Sequence, residues 1–160
     1  MWIASLKEIK QELSHRSQGE LLELCLRLAK FKKENKELLT YLLYDSADEA
    51  AYIKGIQMEI SHEFTQINTK AVFYIKKSVR KILRNIKKYI KYSKQKETEV
   101  ELLLYFCSEL KHMGPYIDQN LALKNIYLRQ IECIKKAMAS LHEDLQYDYG
   151  IELEKLTAKN

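Results

Sequence analysis

Residues Thr69–Tyr92 read TKAVFYIKKSVRKILRNIKKYIKY. Val72, Ile75, Val79, Ile82, Leu83, Ile86 and Ile90 recur there at three- and four-residue steps, the period of an α-helix with one apolar face. At 1.5 Å per residue this helix is about 36 Å long. Lys76, Lys77, Arg80, Lys81, Arg84, Lys87, Lys88 and Lys91 fall on the opposite face, with Tyr74, Tyr89 and Tyr92 at its edges.

The same helical period extends outward in both directions. Upstream, a first helix covers about Leu6 to Leu13 and a second Gln18 to Phe31, and a short turn at 32–35 leads into a third ending near Tyr44. Leu21, Leu22, Leu24, Cys25, Leu26 and Leu28 spread around most of the second helix, as Leu38, Leu39, Leu42 and Leu43 do around the third. Helices apolar over most of their circumference belong in the middle of a fold, so this hairpin is the expected core. A fourth helix, about Ala47 to Phe64, puts Ile53, Ile56, Ile60 and Phe64 on one stripe.

Downstream, the polar run 93–96 reads as an exposed, flexible corner. A sixth helix covers about Glu99 to Met113, with Gly114 and Pro115 as its stop signal. A seventh starts near Asp118 or Asn120, a last short one covers Ile151 to Leu156 after Gly150, and residues 157–160 are expected to fray.

Four Ser/Thr-x-x-Glu patterns precede apolar runs: Ser5 with Glu8, Ser17 with Glu20, Ser46 with Glu49, and Thr98 with Glu101. Each reads as a capping box, in which hydroxyl and carboxylate satisfy first-turn N–H groups reciprocally. Only four glycines and one proline occur in 160 residues, which is too little punctuation for an all-β fold of this length. The expected fold is all-α: about seven to eight antiparallel amphipathic helices stacked as hairpins, in a bundle or a short α-α superhelix. Residues 1–160 read as a single helical domain.

No apolar run reaches the roughly 18 residues needed to cross a bilayer, and the N-terminus turns charged too early for a signal-peptide core. The expected location is the cytoplasm. Cys25, Cys107 and Cys133 are odd in number and set among apolar neighbours, so they read as small buried hydrophobes.

Motifs for chemistry are sparse. Glu59-x-x-His62 and Glu109-x-x-His112 match a pattern used by di-iron bundles, but both histidines fall off their helices' apolar stripes. They read as surface residues, and no metal or cofactor is expected. The acids Glu143, Asp144, Asp148, Glu152 and Glu154 lack the spacing and mid-loop glycine of a calcium loop. There is no phosphate-binding glycine loop, nucleophile elbow or paired-cysteine zinc spacing, so no catalytic residue is assigned and the chain reads as a non-enzyme.

Charge is the most informative feature. The net charge is +5, yet residues 64–96 hold nine lysines, two arginines and no acid, so the remainder carries 5 − 11 = −6. The candidate contact surface is therefore Lys77, Arg80, Lys81, Arg84, Lys87, Lys88 and Lys91. Such a face can seat an acidic protein, including a second copy of the chain, or neutralise nucleic-acid phosphates with the tyrosines stacking on bases. A membrane surface is the least expected partner. The face can also be merely solvated, or paired with the chain's own acidic helices. A protein-interaction module is the leading reading, with nucleic-acid binding as the alternative.

The run Leu13–Leu43 and the segment Lys76-Lys77-Ser78-Val79-Arg80-Lys81-Ile82-Leu83-Arg84 together resemble a family of small helical bacterial proteins of unknown function. The resemblance extends over most of the chain. It implies a bacterial, cytoplasmic, helical protein and carries no activity, ligand or site residue.

Overall fold

In the computed structural model, which describes residues 1–158, every element is helical and no strand occurs among the described residues. The all-α expectation holds. The chain divides into two compact units, Met1–Tyr44 and Asp45–Asn160.

The first unit contains α1 (Leu6–Ser14), α2 (Gln18–Phe31) and α3 (Lys33–Thr40), and a π-helical turn, Tyr41–Asp45, continues α3. Both expected capping boxes form here. The Ser5 N–H donates to Glu8 Oε2 at 2.7 Å, and the Ser17 N–H to Glu20 Oε2 at 3.1 Å, while each serine Oγ accepts from its glutamate's N–H. The Ser5 hydroxyl also donates to Glu8 Oε2 at 2.7 Å, and this bond, with that from the Ser5 N–H, holds the Glu8 carboxyl below its ordinary range. Asn35 Nδ2 donates to the Leu28 carbonyl at 2.7 Å, fastening the start of α3 to α2.

The second unit contains α4 (Glu49–Thr65), α5 (Val72–Ser93), α6 (Lys96–His112), α7 (Pro115–Asp118), α8 (Leu121–Met138) and α9 (Glu143–Thr157). Its centre is α6, against which α4, α5, α8 and α9 all pack. Val100, Leu102, Phe106, Cys107 and Leu110 of α6 are completely buried, together with Ile75 and Val79 of α5 and Leu123 and Ile134 of α8.

The core is therefore not the α2/α3 hairpin, where only Ala29 and, just beyond α3, Tyr41 are buried. The rule that a helix apolar all round is buried applies instead to α6, whose run 100–107 has four helices to cover it. Three short helices in 44 residues cannot enclose a comparable volume, so Leu22, Leu24, Leu26 and Leu28 of α2 stay exposed. Cys25 is exposed for the same reason, while Cys107 is buried and Cys133 half-buried.

Several boundaries also differ from expectation. Asp48, not Ser46, caps α4, its Oδ1 accepting from the Ala51 N–H at 3.0 Å. α6 begins at Lys96, ahead of Thr98, so the pair Thr98 and Glu101 lies inside the helix rather than at its cap. The corner after α5 is only two residues long, with Lys94 in the left-handed region at φ 58° and its N–H donating to Ile90 O at 2.9 Å. Gly114 and Pro115 do end α6, but Pro115 then opens the single turn α7, a position that suits proline because a first-turn N–H has no helical partner. α9 is one 15-residue helix that carries Gly150 within it; His142 caps it, Nδ1 accepting from the Asp144 N–H at 3.2 Å. Of the expected frayed end, Thr157 closes α9, and Lys159 and Asn160 lie outside the described residues.

Candidate interaction surface

The period read in α5 sets its orientation. Ile75, Val79, Ile82 and Ile86 are at most 2 % exposed, so burial of this stripe turns the basic residues outward. Lys77, Arg80, Lys81, Arg84, Lys87 and Lys91 are exposed along the helix, and Lys88 is half-buried with its Nζ 5.1 Å from the Tyr89 ring centroid. Among the described residues, none of the six exposed cations lies within ion-pair distance of a carboxylate. The ion pairs that do form lie elsewhere, such as Lys96–Glu99 at 2.7 Å and Lys155–Glu152 at 2.9 Å.

The edges of the face are defined by its aromatics. Tyr74 and its neighbour Phe73 are exposed at the start of α5, edge to face with centroids 5.7 Å apart. Tyr89 and Tyr92 are half-buried at the other end, and the Tyr89 hydroxyl donates to Glu59 Oε1 on α4 at 2.9 Å. Glu63 borders the same seam; burial and the neighbouring Glu59 raise its carboxyl pKa, and Lys81 and His62 draw it partly back. The carboxylates nearest this face thus belong to α4. Cations toward the C-terminal end of α5, such as Lys91 in its last turn, also sit favourably with the helix dipole.

The remaining candidate residues are spread over the molecule. His62 and His112 are exposed on α4 and α6, and His15 is exposed in the first unit. Glu143, Asp144, Asp148, Glu152 and Glu154 form an exposed acidic face on α9. Burial, with Cys133 nearby, pushes the Cys107 thiol up to about 12, which leaves it a packing group rather than a nucleophile.

Two polar arrangements in the second unit are absent from the sequence reading. The Tyr149 hydroxyl of α9 contacts Glu97 Oε1 at 2.9 Å and Glu101 Oε1 at 2.7 Å on α6, beside a pocket of about 340 Å³ that Glu101, Tyr105 and Glu152 help to line. Burial and these two carboxylates hold the phenol well above the ordinary tyrosine range, so it remains a neutral donor. Lys111 Nζ donates to the carbonyls of Lys155 at 2.9 Å and Leu156 at 3.2 Å, closing the C-terminal turn of α9. Glu97 and Glu101, one helical turn apart, are a visible acidic pair, but nothing in the sequence names Tyr149 as their partner.

Compared with protein-family models, with curated proteins and with solved structures, the chain matches none. No helix of the described residues is long and apolar enough to cross a membrane.

Proposed function

We propose that the chain is a non-enzymatic interaction module that presents the basic face of α5 to an acidic partner protein. The observation that carries this reading is the set Lys77, Arg80, Lys81, Arg84, Lys87 and Lys91, exposed and without an ion-pair partner among the described residues. Surface ion pairs within a chain contribute little, about 0–1 kcal/mol each, so such a row adds little to stability. A partner's carboxylates gain from its rigid helical spacing, both in encounter rate and in register. The three free cysteines and the resemblance to small bacterial proteins support a bacterial cytoplasmic setting.

Nucleic acid is the second reading, favoured by Phe73 and Tyr74, which stand exposed where bases can stack beside the cationic row. One titration separates the two. Binding of labelled single- and double-stranded nucleic acid and of a labelled glutamate-rich peptide is measured across a salt series, for the native chain and for Arg80→Glu/Arg84→Glu/Lys88→Glu. Peptide binding lost in the variant, with no nucleic-acid binding even at low salt, supports a protein partner. Nucleic-acid binding that falls steeply with salt, from counterion release, and disappears in the variant moves the reading to nucleic acid. No binding of any probe at low salt overturns both.

A further inference from the structure

α9 carries a face opposite in sign to that of α5. Its inner side, with Tyr149, Leu153 and Leu156, lies against the core, and the helix packs on α6 and α8. At about 100° per residue the outer side centres on Tyr147 and Ile151, which are 73 % and 42 % exposed. Glu143 and Glu154 flank this pair on one edge, Asp144 and Asp148 on the other, all four exposed. Glu143, Asp148 and Glu154 have no ion-pair partner among the described residues, and Asp144 has only His142 Nδ1 at 3.6 Å. Lys155 lies further along the second edge but is already tied to Glu152 at 2.9 Å.

The layout of α5 matches. Lys77, Arg84 and Lys91 run down the middle of its outer face, with Arg80 and Lys87 on one edge and Lys81 on the other. From Lys77 to Lys91 the row is about 21 Å long, and the acids from Glu143 to Glu154 cover about 17 Å, so the shorter face fits within the longer. Carboxylates on both edges of α9 can then reach cations on both edges of α5. Between them, the aliphatic stems of Lys77 and Arg84 can cover Tyr147 and Ile151. This complementarity is not used within one chain, since neither set finds its opposite there among the described residues. A second copy supplies it.

We propose that the chain self-associates, the outer face of α9 on one copy docking on the basic face of α5 on another. The inference rests on the reading of α5 as a protein-contact face and names the partner. The contact joins unlike surfaces, so it closes as a pair where both faces meet at once and otherwise extends into rings or chains. One helix face laid on another is at the small end of interface sizes, so the association is weak, reversible and salt-dependent.

The test is sedimentation velocity on the full chain at low and high salt, over a micromolar-to-millimolar concentration series, with helix content followed by circular dichroism. The expected result is association at low salt that fades at high salt. Arg80→Glu/Arg84→Glu and, separately, Asp148→Lys/Glu154→Lys each weaken it by about tenfold or more at unchanged helicity, all four positions being exposed. An equimolar mixture of the two variants associates again, because the native α9 of the first meets the native α5 of the second. A native chain that stays monomeric at low salt overturns the proposal. If that monomer still binds the glutamate-rich peptide or nucleic acid through α5, the α5 face remains a contact surface for another partner; if it binds neither, both readings fall. Association that the α5 reversal weakens and the α9 reversal does not overturns α9 as the docking face. Variants that fail to associate when mixed overturn the pairing of the two faces.

Discussion

The Glu49 carboxylate, in the first turn of α4, accepts the buried Thr98 hydroxyl of α6 at 2.6 Å and also accepts from Ser93 Oγ at the end of α5. One carboxylate thereby fixes the meeting point of three helices. Thr98 is fully buried, so its hydroxyl has no water to turn to.

Glu49→Ala is expected to lower the unfolding free energy by about 2–4 kcal/mol, because it removes a charged acceptor and strands a buried donor. Thr98→Val keeps the shape, loses one bond and costs about 1–2 kcal/mol. Urea denaturation of the two variants and of the double variant checks this. The double variant should cost less than the sum, because both single changes break the same bond.

Tyr149 gives the second unit a specific sensitivity to alkali. Its ionisation is raised in the folded chain above the ordinary value of about 10, so the fold binds this proton more tightly than the unfolded chain does. The resulting stability is fully present below about pH 10 and is lost as pH rises beyond it. Tyr149→Phe should remove that part of the pH dependence. Ultraviolet titration should show one phenol fewer among the late-ionising tyrosines; an identical high-pH titration in native chain and variant would refute this role.

Lys94 is the only non-glycine residue with positive φ among the described residues. A side chain in the left-handed region costs about 1–2 kcal/mol, part of which glycine returns through its greater freedom when unfolded. Lys94→Gly is therefore expected to stabilise the chain by about 0.5–1 kcal/mol, read as a higher midpoint in thermal or urea unfolding.

Periodicity made the helices legible, because the spacing of Ile75, Val79, Ile82 and Ile86 requires only that one face be buried. It could not say which helix would lie at the centre. α2 and α6 are both apolar over most of their surface, and only tertiary arrangement gives α6 four neighbours. The capping patterns show the same limit. Ser5 and Ser17 act locally and form their boxes, whereas Glu49 and Thr98, each half of an apparent box, find one another across 49 positions of sequence. The basic face was legible because one helix carries all of it. Tyr149 with Glu97 and Glu101, and Lys111 at the end of α9, join distant segments and leave no local pattern.

The enclosure of α6 also sets a timescale. Its central amides lie under four helices and can meet solvent only when the second unit opens as a whole, so they should be the slowest in the chain to exchange with deuterium. Those of α2 and α3, with almost no buried side chain above them, need only a local opening. The protein thus joins a slow body to a fast one, and whatever binds the first 44 residues would be recorded as slowed exchange there.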